Sequence, residues 1–129
     1  MTRLTMIMKI QAVAFLAYAV GWFFIPDFIN DTVLGWDTET VWARVLGGVF
    51  FGVAFGEWKV IEKLEERMDL VWMFAAIPIG ILAALLWEQL ADTYTGSDLF
   101  FWVSVAVTVV FGTAVTAARL SAGRDTVAV

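Results

Sequence analysis

The 129-residue chain contains no cysteine and no histidine. Without thiols there can be no disulfide, thiolate nucleophile, iron–sulfur ligation or CxxC redox pair. Without imidazole the usual ligands of haem, copper and catalytic zinc are missing, so no metal site and no cofactor is expected. Cationic residues are also scarce: eight Lys and Arg stand against thirteen Asp and Glu, a net charge of −5. Nucleic-acid binding needs a basic face that this balance does not supply. The acidic excess suits a salt-adapted organism or an acidic outer surface. Proline occurs twice, at Pro26 and Pro78.

What the chain has in abundance is apolar surface. Hydrophobic residues make up 61% of it and the mean hydropathy is +0.83, against the roughly 45–50% apolar content of soluble domains. Four apolar runs, at about 4–25, 41–61, 70–90 and 99–118, each approach the length of about 20 residues that crosses a hydrocarbon core of about 30 Å. They predict one all-α domain, an integral membrane bundle of four transmembrane helices. The basic start and Ala17-Tyr18-Ala19 also match a leader with a cleavage site, but the run is read as the first span.

Pro26 ends that span. Residues 26–36 place Phe28, Ile29, Val33 and Leu34 on one side of a short interfacial helix that Gly35 would stop. Asp37 or Thr38 is expected to cap the second span, with Glu39 in its first turn. The segment E-K-L-E-E-R-M-D after it reads as a solvated hairpin tip, where Lys59 with Glu62 and Lys63 with Glu66 are spaced to pair. Pro78 removes a backbone hydrogen bond in the middle of the third span. Ser97 or Asp98 should cap the fourth, and 119–129 reads as a mobile tail.

Charge sets an expected orientation. Arg3, Lys9, Lys59, Lys63, Arg67, Arg119 and Arg124 fall on the side of the termini and the hairpin, and Arg44 alone on the other. By the positive-inside rule both termini are cytoplasmic in a cell membrane. Trp22, Trp42, Trp87 and Trp102 would mark the outer interface, with Trp58 and Trp72 at the inner one.

Polar residues inside apolar segments are the functional candidates. Arg44, about one turn inside the outer end of span two, should snorkel or pair. Glu88 lies at similar depth on span three, and a short connection favours the two spans as neighbours, so Arg44–Glu88 is the expected ion pair; Asp27 and Asp31 are rivals. Such a cluster either fixes helix register or forms an outward-facing anion or headgroup site. On the inner side Lys9, Gln11 and Glu57 share a depth. They either form a polar cluster or snorkel separately, and separate snorkelling is the preferred reading. No ionisable group occupies the middle of any span, which disfavours a proton- or cation-coupled transporter and a retinal Schiff base.

Small residues recur every four positions: Gly48, Gly52 and Gly56; Ala76, Gly80 and Ala84; Ser104, Thr108, Gly112 and Thr116. Each stripe allows close helix approach in lipid, and packing within the bundle is the expectation, with a dimer seam or ligand groove as alternatives.

The run G-W-F-F-I-P, the loop carrying Leu34-Gly35, and W-A-R-V-L-G-G opening the next span resemble the DoxX-like group of small four-helix membrane proteins over about residues 14–56. The resemblance implies a four-helix bundle, in some members an accessory subunit of a membrane oxidoreductase. Only Pro26, Arg44 and Gly47 carry over, as structural markers. With no catalytic constellation evident, the expected function is that of a structural or accessory membrane subunit, self-associating or bound to a partner subunit and surrounded by membrane lipids. The alternative is a lipid- or small-molecule-binding protein, a passive channel or carrier, with its ligand beside Pro78 and Arg44 at the mouth. An enzyme would have to work at the outer rim with Arg44 and carboxylates.

Overall fold

The structure, a computed structural model, describes residues 2–34, 40–92 and 96–127. It is all-helical, with no strand among the described residues. Helix α1 spans Thr2–Phe24, α2 Pro26–Phe28, α3 Thr40–Glu62, α4 Val71–Leu90 and α5 Asp98–Val127. A π-type turn, Ile29–Leu34, follows α2, and a 3-10 turn, Leu64–Arg67, joins α3 to α4. Three helices, α1, α4 and Asp98–Gly123 of α5, are long and apolar enough to cross a membrane. Helix α3 matches α1 at 23 residues but contains Arg44, Glu57, Lys59 and Glu62.

The long helices bury a seam with alternating three- and four-residue steps, as expected when helices pack side by side at a shallow angle. On α1 it runs through Leu4, Met8, Gln11, Phe15 and Trp22; on α3 through Ala43, Gly47, Ala54, Glu57 and Leu64 just beyond; on α4 through Val71, Phe74, Pro78 and Leu85. Outside these seams large apolar side chains face outward, among them Phe55, Trp87, Leu99, Trp102 and Val110. That exterior is what lipid contact requires and what water would penalise.

Helix α3 lies antiparallel along α1, and α4 antiparallel along α5, while α1 and α5 join the two pairs. The closest approach is at Gly47, where a Cβ would stand 2.7 Å from the Phe23 backbone nitrogen and 3.0 Å from the Ala19 carbonyl oxygen. Phe50 then stacks on Phe15 and Tyr18, with ring centroids 5.5 and 5.9 Å apart, and meets Trp22 at 5.9 Å. Aromatic pairs of this geometry contribute about 0.5–1.5 kcal/mol each beyond their contact area. A hydrophobic core of Leu4, Met8, Val60, Leu64, Val71, Phe74, Val115 and Ala122 closes the end of the molecule that carries the α1 N-terminus, the α3–α4 hairpin and the last turns of α5.

Several expectations change here. The short connection between α3 and α4 does not make them principal neighbours; it fixes their ends, while the seams turn α3 onto α1 and α4 onto α5. Helix α5 continues to Val127, so 119–127, expected as a tail, is helical. The segment after Pro26 is three α-helical residues and a wider π-type turn, with Ile29 packed on Gly21. The predicted stop at Gly35 and the caps at Asp37, Thr38 and Glu39 lie outside the described residues.

Other expectations hold. The Ser97 hydroxyl accepts from the Phe100 N–H at 3.3 Å, acting as the cap of α5. Lys59–Glu62 pairs at 2.8 Å and Lys63–Glu66 at 3.6 Å on the exposed hairpin. The hairpin is pinned from both sides: Arg67 donates to the Lys59 carbonyl at 2.6 Å, and Arg119 donates to the Met68 carbonyl at 2.9 Å while lying over the Trp72 ring.

Candidate functional site

Proline in a helix leaves the carbonyl four residues earlier without its usual donor. For Pro78 that carbonyl belongs to Phe74. The side-chain amide of Gln11 on α1 reaches across and donates to Phe74 O at 2.9 Å. In an apolar interior a bare backbone carbonyl is expensive, and a polar side chain from a neighbouring helix is the recognised remedy. Gln11 is therefore 1% exposed and does not snorkel.

The same bond fixes how the Gln11 amide is turned. A carbonyl can only accept, so the nitrogen must face Phe74 and the oxygen faces elsewhere. That oxygen is buried with no donor. The Ser104 hydroxyl on α5 is also buried without a partner, whereas the Thr108 hydroxyl donates to the Ser104 and Val105 carbonyls.

Gln11 and Ser104 line one cavity of about 110 Å³, together with Pro78. Its walls are aromatic: Phe15, Tyr18 and Phe50 from the α1–α3 pair, and Phe100 and Phe111 from α5. The cavity lies beside Pro78, as expected for a ligand between the helices, but Arg44 is not among its lining residues.

Glu57 occupies a seam position of α3 and is fully buried, with no hydrogen-bond partner for either carboxylate oxygen. The register that sets Gly47 against Ala19–Phe23 and Phe50 against Tyr18 brings Glu57 to the level of Gln11. Of the inner trio, the structure thus buries Gln11 and Glu57 at one level and leaves Lys9 exposed. Separate snorkelling is overturned for the first two because both sit on packed faces.

The outer candidates do not assemble around Arg44. Arg44 is exposed on α3, and Glu88 is exposed on α4, which is not a principal neighbour of α3. Asp27 accepts a 2.7 Å hydrogen bond from the Thr40 hydroxyl, tying the loop to the start of α3, and Asp31 is exposed. Lys59–Glu62 and Lys63–Glu66 are ion pairs at the hairpin, away from Arg44.

The small-residue stripes separate into two kinds. Gly112 is buried, with a Cβ there meeting Ile79 at 3.3 Å, and Ser104 and Thr108 lie on the same inward face. Gly48, Gly52 and Gly80 would meet nothing within 4 Å, Gly56 touches only the far end of Phe74, and Ala76 and Ala84 are exposed. The tightly packed glycine of α3 is Gly47, which the four-residue spacing did not pick out.

The class these features define is an all-α protein with three helices long and apolar enough to span a membrane and a polar-ended aromatic cavity between them. No family model, curated protein or solved structure matches the chain.

Proposed function

We propose that this is a four-span integral protein of the cell membrane, both termini cytoplasmic, that works as a structural or accessory subunit, either self-associating or held in a larger membrane complex. One observation carries the reading: the stripes Gly48–Gly52 on α3 and Ala76–Gly80–Ala84 on α4 face out of the bundle. In lipid, helices associate through close van der Waals packing, and outward stripes of small residues are the surface that a further helix can approach. Helix α3 counts as the fourth span because it matches α1 in length and packs along it down to the backbone at Gly47. The DoxX-like resemblance fits the same reading, since Pro26 and Gly47, two of the residues it carries over, are both buried at the first loop and the α1–α3 seam.

The test is native mass spectrometry of protein released gently from its own membrane, wild type beside Gly52→Leu. A defined oligomer or partner complex that dissociates in the variant, with the monomer still folded, is the expected result. Recovery of monomer alone at native abundance, or an assembly indifferent to Gly52→Leu, overturns the proposal.

A further inference from the structure

The aromatic cavity carries an inference that does not depend on assembly. Its polar features are specific in kind. Gln11 presents an acceptor and no free choice of turning, because its nitrogen is committed to Phe74 O. The Ser104 hydroxyl, also unpartnered, can donate or accept. The remaining lining is dominated by aromatic rings, of which Tyr18 and Trp22 each carry one polar atom, and by Pro78.

A cavity of about 150 Å³ lined by apolar side chains takes a benzene ring, and about 110 Å³ is of the same order, matching a single ring. Water would fill the same space with roughly three or four molecules at ~30 Å³ each, and each needs two to four polar partners. Gln11, Tyr18, Trp22, Ser104 and Thr108 bring polar groups to a lining that is otherwise apolar, too few for a full set on each water. An acyl chain would fill the volume but leave Gln11 Oε1 and Ser104 Oγ buried and unsatisfied.

We propose that this cavity binds a small hydroxylated aromatic molecule, of the size of phenol, whose ring lies among Phe15, Phe50 and Phe111 and whose hydroxyl donates to Gln11 Oε1, with Ser104 as the second polar contact. The ring satisfies the aromatic walls through stacked and edge contacts. The hydroxyl supplies the donor that Gln11 Oε1 lacks.

The full chain in lipid nanodiscs is titrated with 4-fluorophenol and with 4-fluorotoluene, in which a methyl replaces the hydroxyl, following the fluorine NMR signal against empty nanodiscs. Saturable binding of 4-fluorophenol, about tenfold or more tighter than 4-fluorotoluene, is expected where a buried acceptor is otherwise left bare. Gln11→Met should reduce that preference to within about twofold while retaining 4-fluorotoluene binding. Should Gln11→Met fail to fold, Ala14→Leu, which fills the cavity from α1 without touching a polar atom, should abolish saturable binding. Three results each overturn the proposal: no 4-fluorophenol binding beyond the nanodisc blank, equal binding of the two probes, or binding that survives Ala14→Leu.

Discussion

Gln11 and Pro78 are complementary across the α1–α4 contact: the proline withdraws the helical donor from Phe74 O, and the glutamine replaces it at 2.9 Å. Neither residue is well suited to its place alone. A glutamine in the middle of an apolar span and a proline in the middle of a helix each cost free energy. Together they leave the backbone satisfied.

This complementarity predicts a strong coupling. Gln11→Leu should destabilise the protein by about 1–3 kcal/mol, because Phe74 O is left buried and bare. In a Pro78→Ala background, where residue 78 again has an N–H, the same change should cost less than about 0.5 kcal/mol. A double-mutant cycle by denaturant unfolding in detergent micelles measures the difference. Equal costs in both backgrounds would show that the bond compensates nothing.

The adjacent glycines of α3 should behave oppositely. Gly47→Ala drives a methyl to 2.7 Å from the Phe23 backbone nitrogen, which no rotamer change can relieve, and should cost about 1–3 kcal/mol. Gly48→Ala enters open space and should gain up to about 1 kcal/mol from helix propensity. Thermal unfolding of the two variants under identical conditions decides it.

Glu57 contributes a buried carboxyl with no hydrogen-bond partner. Glu57→Met keeps the length of the side chain and removes the polar group, and should raise stability by about 1–3 kcal/mol. Glu57→Lys, placing a cation in the same packed seam, should be strongly destabilising. A loss of stability in Glu57→Met would mean that the carboxyl serves a contact that its buried oxygens do not reveal.

Asp92 ends α4 at φ 55°, the left-handed conformation that suits glycine. Its N–H still closes the helix by donating to the Gln89 carbonyl at 3.3 Å. Asp92→Gly should raise the unfolding free energy by about 0.5–1 kcal/mol, read as an increase in Tm, with the helical circular dichroism unchanged.

Much of the architecture was legible because hydrophobic length and hydrogen-bond capping are local. The apolar runs located α1, α3, α4 and most of α5, and the Ser97 cap and the Lys59–Glu62 pair follow from spacing within one helix. Helix rotation is not local. Gly48, Gly52 and Gly56 share a face by spacing, but which face meets α1 is decided by the seam through Ala43, Gly47, Ala54 and Glu57. That three-and-four spacing was present in the sequence and would have placed Glu57 inside. For α1 the spacing of Leu4, Met8, Gln11, Phe15 and Trp22 would have done the same for Gln11. The partnership of Gln11 with Phe74 spans 63 residues and required the relative height of two helices, which no local pattern encodes. Arg44 attracted attention as the charge in the wrong place, yet an exposed arginine near a helix end needs no partner at all.

The Gln11 bond also joins parts of the chain made at different times. Helices α1 and α3 precede α4 in the chain and pack on each other through Phe50 of α3 and Phe15 and Tyr18 of α1. The Gln11 amide then has no carbonyl to meet until the proline-bearing helix arrives. The α1–α3 and α4–α5 pairs are thus matched to each other by a polar bond as well as by apolar packing.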